Sequence, residues 1–351
     1  MKKFTKEHSL MVKGVAIMLL LVYHLFHEKA VLDDMHVNYA PFSEAAFLNF
    51  AGFGNVCVAI FVMLTAYGIS RLVLSGSEEG LREIYKGCAV RFGKLLLNVS
   101  IVYVSINLIC YSYFNYAGLY GTGKQSFLYV LCDATGMSAV FKTPMLNATW
   151  WYMKIAYILI FMIPLLSYVV KKLGNVTLLL ALFAPFVIRF DADVERYLFV
   201  AVLGVCASYG KWPERIMNLK IYPVVWWLVG VLGAPLCVLI RQNALVRERF
   251  WNYADAFAAF FIICVTVMTV GKVPVLKSVL KFIGKHSMNI FLVHTFFYMI
   301  VWRKYVYHFE YAIVTFLILL GMSLLYSVIL EILKKSIEKI IKIFKKKVKK
   351  D

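Results

Sequence analysis

Residues 12–26 read VKGVAIMLLLVYHLF. The run is apolar enough for a bilayer, yet it keeps Lys13 near one end and His24 near the other. Comparable apolar blocks fill the 351-residue chain, which is 62% hydrophobic with a mean hydropathy of +0.76. An ordinary soluble domain is only ~45–50% apolar. Ten blocks stand out: 9–27, 50–74, 87–113, 150–170, 176–189, 196–210, 221–241, 253–271, 282–302 and 311–333. Most approach the ~20 residues a spanning helix needs. The expected fold is therefore an all-α polytopic membrane protein, a bundle of about ten transmembrane helices. The fifth and sixth blocks are short and flank the polar RFDADVER (189–196), which suits a helical hairpin or a re-entrant pair.

A net charge of +19 is compatible with binding nucleic acid. The cations instead gather in the N-terminal tail, the even-numbered loops and the C-terminal tail, which fits the positive-inside rule with both termini cytoplasmic. With no zinc-finger or RNA-module signature, no nucleic-acid partner is expected. The first outer loop sets Lys29 against Glu28, Asp33, Asp34 and Glu44. Seven cysteines stand singly, without a CxxC pair, and are expected to be packing residues; neither disulfides nor a metal site is expected. The N-terminus mimics a signal peptide but lacks a small-residue cleavage site, so it is read as the first membrane helix.

Two domains are expected, a membrane domain over 1–333 and a basic cytoplasmic tail over 334–351. The tail, KKSIEKIIKIFKKKVKK, puts Ile337, Ile340, Ile341, Phe344 and Val348 on one helical face among lysines, suited to an anionic lipid surface. The stretch 114–149 reads as an outer loop, with one half-inserted helix around QSFLYVLC (125–132).

Lys13 and His24 are eleven residues apart, three helical turns with ~20° left over, so they share a face about 16 Å apart along the axis. Each has a plain explanation: a lysine near a helix end can snorkel to the headgroups, and a histidine can bond a neighbouring helix. Ionisable residues within spans, however, usually face the bundle interior or a wet cavity. Imidazole is also the side chain suited to moving protons near neutral pH. Arg91 and Lys94, three apart on one helix face, and Lys285 recur at the inner ends of inside-to-outside helices; Lys154 is a further cation within a span. These inner-end cations fit either topology anchoring or a pocket for an anionic ligand. Ser287 and His294 share a face of the ninth segment. Trp150 and Trp151 open the fourth, where an aromatic belt accounts for them.

Together these phrases resemble acyltransferase family 3, polytopic bacterial O-acyltransferases of surface glycans. The opening helix of that family carries Arg, ten residues and His; KGVAIMLLLVYH places Lys13 and His24 there. IFVMLTAYGIS stands for the phrase of its second helix, Arg91 and Lys94 for its paired arginines, and Trp151 with Tyr152 for its aromatic pair. IGKHSMNIFLVH matches its late phrase, with Ser287 and His294 in register. The resemblance runs from about residue 5 to 335. The departures are Lys13, Lys94, Thr65 and Ala66 in place of Ser-Gly, and Leu10 where an Asp is usual. Lysine keeps the charge but loses the bidentate fork.

The resemblance implies transfer of an acyl group, with acetyl the expected one, from cytoplasmic acetyl-CoA to a hydroxyl of a cell-surface or lipid-linked polysaccharide. His24 would be the catalytic base, assisted by Lys13. Lys13, Arg91 and Lys94 would hold the donor, and Ser287, His294 and Trp151 would support the acceptor. It also implies a multi-pass protein of the bacterial plasma membrane whose partners are lipids and the glycan acceptor. Rival readings are a transporter or flippase for a glycan precursor, a non-catalytic scaffold, and an unrelated membrane O-acyltransferase fold.

Overall fold

The structure is a computed structural model that describes residues 2–27, 32, 35–75 and 81–347, without the side chains of 81, 338 and 340–347. The acidic first loop (Glu28, Asp33, Asp34) and most of the tail's apolar face (Ile340, Ile341, Phe344, Val348) lie outside the described residues and side chains. Among the described residues there is no strand; one isolated bridge pairs Asn38 with Tyr311.

Ten long helices occupy the ten expected segments: α1 (Lys6–Phe26), α2 (Val56–Ser75), α3 (Leu81–Cys110), α4 (Tyr152–Leu173), α5 (Val176–Val187), α6 (Ala192–Tyr209), α7 (Pro223–Gln242), α8 (Trp251–Met268), α9 (Pro274–Thr295) and α10 (Ala312–Lys347). Among the described residues seven helical stretches, not ten, are long and apolar enough to cross a membrane, and α5, α6 and α9 are the exceptions. α5 has 12 residues, and it forms with α6 the hairpin that two short blocks around RFDADVER suggest. α6 opens on Asp193, Glu195 and Arg196, and α9 carries Lys277, Lys281 and Lys285.

Burial explains why the polar helices are tolerated. Tyr197–Ser208 of α6 are buried without a break, and α9 buries twelve residues from Leu280 to Thr295. These helices meet protein on most sides. By contrast α7 buries no residue at all and presents Val224, Leu228, Val231, Leu232 and Leu239 outward. In water this would be an aggregation surface; in a bilayer it is the lipid-facing rim.

α1 and α9 form the axis of the bundle. Thr5 caps α1 by accepting the His8 amide, while the His8 ring accepts the Thr5 amide at 3.0 Å. Glu7 pairs with Lys277 at 3.1 Å and also with Lys281. Those two pairs let α9 start eight residues before the apolar block at 282. Gly14 and Gly284 face each other across the crossing. A methyl group on Gly284 would strike the Leu10 carbonyl and lie 2.8 Å from the Gly14 nitrogen, and one on Gly14 would strike the Leu280 carbonyl. Only residues without Cβ let the two backbones approach this closely. Glu7 and Lys277, Gly14 and Gly284, and His24 and His294 are each 270 residues apart, so the two helices run parallel and in register. A second close crossing brings Gly204 of α6 against the Met63 carbonyl and Ala66 of α2; Ala66 is one of the departures from the family phrase.

Asn218 receives the Lys2 amide at 3.1 Å, fixing the N-terminus at the Lys6 end of α1. At the opposite end the Tyr307 hydroxyl donates to the Leu25 carbonyl at 2.9 Å, just before α10 turns back. The two ends of the described chain therefore lie at the same end of the bundle. α10 continues through residue 334 without a break, so the expected boundary at 333/334 falls within one helix.

Over residues 114–149, a helix does form at Gln125–Ala134, with Phe127 and Leu128 exposed. Asp133 pins this segment. It is fully buried, accepting the Tyr120 hydroxyl and the Leu146 amide on Oδ2, both at 2.6 Å. Burial pushes its carboxyl above the usual range, and burial beside that carboxyl pushes the Tyr120 hydroxyl up as well.

Candidate active site

At the Phe26 end of α1 a cavity of about 260 Å³ opens between α1, α2, α4, α6 and α9. Its chemistry comes from the ends of these helices. His24 lies in the last turn of α1 and Asn55 just ahead of α2. Thr149 and Trp151 belong to the tight turn before α4, Tyr152 opens that helix, and Arg196 lies in the first turns of α6; Phe291 closes the wall from α9. A neighbouring hollow of about 310 Å³, lined by Phe53, Leu236 and Phe261 among others, is almost wholly apolar, and its Arg241 and Asp255 already pair at 2.8 Å. The first cavity is therefore the better candidate, because its wall holds a histidine and a cation, Arg196, that no carboxylate among the described residues pairs with.

The two histidines expected from the sequence meet here. The rings of His24 and His294 lie 4.9 Å apart, centroid to centroid. Their surroundings differ. His294 is fully buried and its Nδ1 lies 2.8 Å from the Phe291 carbonyl, an acceptor only, so Nδ1 carries a proton. Its Nε2 lies 3.3 Å from the Thr295 hydroxyl, which reaches the Thr149 hydroxyl at 3.1 Å, and Thr149 donates to Asn147 Oδ1 at 2.7 Å. Both nitrogens of His294 are thus committed. The Nδ1 of His24 is buried and has no hydrogen-bond partner among the described residues. His24 is the histidine with a nitrogen to spare, and it is the one that lines the cavity.

Trp151 joins the same site, lining the cavity and stacking on Tyr197 with centroids 6.2 Å apart. Trp150 does not belong to an outer aromatic belt: it is 1% exposed and its indole donates to the Leu292 carbonyl at 3.0 Å. Ser287 is buried two turns below His294, outside the cavity. Phe291, of the phrase IGKHSMNIFLVH, lines the cavity.

The three cations assigned to the donor lie elsewhere. Lys13 and Arg91 are half-buried and Lys94 is exposed. Asn98 bonds Asn289 at 3.2 Å, which the register of α1 and α9 aligns with Leu19. Lys94 and Arg91 lie four and seven residues before Asn98, about 6 and 10 Å lower, hence near the depth of Lys13. α9 packs against both α1 and α3, so the two sets of cations flank it. Lys154 is not a lone intramembrane charge: it pairs with Asp191 at 2.8 Å and with Asp193 at the head of α6.

Two features escaped sequence reasoning. One is Arg196, hidden in a segment that reads as a polar turn. The other is a polar cluster in which His286 and Asn289 bond Ser327, at 2.8 and 3.0 Å, and Asn289 also reaches Glu331 at 3.1 Å. Lys334 joins the cluster from the same helix as Glu331. His286, Ser287 and Asn289, grouped in HSMN, are its trace in the sequence.

The model of the acyltransferase domain of acyltransferase family 3 matches residues 11–332. The chain belongs to acyltransferase family 3. No curated protein and no solved structure matches it. The matched span begins just before Lys13 and covers every residue of the cavity, so this acyltransferase carries the His24 site inside its family domain. Its apolar helices make it a multi-pass membrane protein.

Proposed function

We propose that this acyltransferase moves an acetyl group from cytoplasmic acetyl-CoA to a hydroxyl of a cell-surface or lipid-linked polysaccharide in the bacterial plasma membrane, with the Lys6 end of α1 on the cytoplasmic side. The observation that carries the reading is the pairing of His24, with an uncommitted nitrogen, against His294 in the wall of a cavity at the opposite end. His24 takes the proton of the acceptor hydroxyl as its oxygen attacks the thioester carbonyl; the C–S bond breaks and the thiolate receives the proton.

His294 is suited to support that proton. The contacts from its Nε2 to Thr295, Thr149 and Asn147 are three, but the two hydroxyls bring two protons. A second proton on His294 would complete the set. Lys13, Arg91 and Lys94, level with one another near the other end, suit the phosphates of the donor. About 16 Å separates Lys13 from His24 along α1, which the donor's thioester arm, or a relay, has to span.

The rival is a flippase for a glycan precursor, which the mid-membrane polar cluster of α9 and α10 would also suit. Detergent removes both compartments. Labelled acetyl appearing on a capsular, O-antigen or wall glycan after incubation with purified protein and acetyl-CoA is the expected result. Lipid-linked glycan crossing vesicles without gaining acetyl would overturn the proposal.

A further inference from the structure

We infer that Arg196 is the anion-binding residue of the acceptor pocket, and that the acceptor is therefore an anionic saccharide, bearing a carboxylate or phosphate close to the hydroxyl that is modified. The inference rests on the proposed transfer in one respect only: that the molecule filling the His24 cavity is the acceptor.

Arg196 lines the same cavity as His24. Its guanidinium lies 3.9 Å from the centre of the Trp251 ring, 5.3 Å from that of Tyr197 and 5.9 Å from that of Trp151. Aromatic faces stabilise a partly desolvated cation without neutralising it. No carboxylate among the described residues pairs with Arg196, and its Nε is buried with no hydrogen-bond partner. The nearby acids are engaged elsewhere: Asp255 with Arg241, and Asp191 and Asp193 with Lys154. Glu195 precedes Arg196 on α6 but forms no ion pair with it. Arg241 makes an instructive contrast. It lies 5.3 Å from the same Trp251 ring and has its carboxylate; Arg196, on the cavity side, has none.

A planar guanidinium fixed over an indole, with open donors beside a general base, is arranged to receive a carboxylate or phosphate through a bidentate pair. Around it, Asn55, Thr149 and Tyr152 supply neutral polar groups suited to sugar hydroxyls, and Trp151 supplies an aromatic face. The volume of about 260 Å³ lies just under the ~300–1,000 Å³ of pockets that take drug-sized ligands, which suits one sugar unit rather than a stretch of chain. An Arg-bound anion would also fix which hydroxyl meets His24.

The test is a binding titration of the purified full-length protein in detergent, without acyl donor, read by tryptophan fluorescence, since Trp151 and Trp251 both lie against Arg196. The probes are glucuronate, glucose 1-phosphate and neutral glucose at matched ionic strength. Saturable binding of at least one anionic probe is expected, with glucose giving no comparable response. Arg196→Gln is expected to weaken that binding about tenfold or more, and Arg196→Lys to fall between, because the charge remains and the fork is lost. A monodisperse elution profile establishes that each variant is folded, and Arg196→Lys keeps the test available should Arg196→Gln aggregate. Response to glucuronate alone identifies an acidic sugar, and response to glucose 1-phosphate alone a phosphate-bearing one; both sustain the inference. Binding of glucose as tight as that of the anions, equal binding by wild type and Arg196→Gln, or no saturable response of wild type to either anion would overturn it. No acyl group moves in this assay. Loss of the transfer reading would show instead as absent acetyl transfer with anion binding intact.

Discussion

Gly284→Ala tests the α1–α9 crossing that sets His24 against His294. The added methyl would meet the backbone of Leu10 and Gly14, not a side chain that can swing away. At the Gly14 nitrogen alone, moving from 2.8 Å to the 3.4 Å of ordinary contact requires 0.6 Å of separation, and the Leu10 carbonyl requires more. Overpacking of this kind costs about 1–3 kcal/mol. Alanine returns up to ~1 kcal/mol of helix propensity, and a control removes that contribution: Gly321 of α10 has nothing within 4 Å of an added Cβ. The difference between Gly284→Ala and Gly321→Ala thus isolates the clash. Thermal unfolding followed by size-exclusion chromatography should place Gly284→Ala below wild type and Gly321→Ala at or above it. Gly14 and Gly284 lie ten residues, about 15 Å, before His24 and His294, so a parting of about an ångström carried along the two helices should also lower acetyl transfer, by roughly 100-fold for a misplacement of that size. Equal thermal midpoints and equal activities for the two variants would refute the close crossing.

Three further outcomes are expected. Asp133→Asn should be tolerated, since an amide oxygen can accept from Tyr120 and Leu146 as the carboxyl does, whereas Asp133→Leu leaves both donors unpaired at about 1–3 kcal/mol each. Because burial raises the Asp133 carboxyl above its unfolded value, its contribution is fully present below the unfolded pKa and is lost as pH rises through the folded one; Asp133→Asn should remove this part of the pH dependence in thermal melts between acid and neutral pH. Thr149→Val interrupts the hydroxyl chain behind His294 and should lower kcat with little change in the KM for acetyl-CoA; a change confined to KM would place Thr149 in donor binding instead. Lys13→Ala should raise the KM for acetyl-CoA several-fold, and Lys13→Arg should restore it; an unchanged KM in Lys13→Ala would leave Lys13 a snorkelling lysine.

The helices were legible because a bilayer demands long apolar runs, and the ten segments follow them. Membrane-crossing length was less legible for α5, α6 and α9. α5 falls short by length alone, at 12 residues, while the charged residues of α6 and α9 are matched by partners far away in sequence, as Asp193 is by Lys154 and Lys277 by Glu7. Spacing marked His24 and His294 as polar breaks in apolar faces, equally suited to packing contacts, and the family resemblance made them site candidates. That His294 is saturated with hydrogen bonds while His24 is not depends on Thr149 and on the Phe291 carbonyl, which no local pattern reveals. Arg196 was illegible for the same reason. In sequence it ends a polar turn; only the fold sets it over Trp251 and turns its acidic neighbours toward Lys154. Gly14 and Gly284 sat in view within KGVA and IGKHS, but a glycine in a helix announces a close neighbour without saying which.

Whether His24 is the base of an acetyl transfer is decided by thiol release from acetyl-CoA by the purified protein in the presence of acceptor glycan. Wild type should release thiol, and His24→Ala and His24→Gln, folded as judged by elution and melting, should lose at least about 100-fold of the rate, within the range typical of general-base removal. Release by folded His24→Ala at the wild-type rate would show that His24 is not the base.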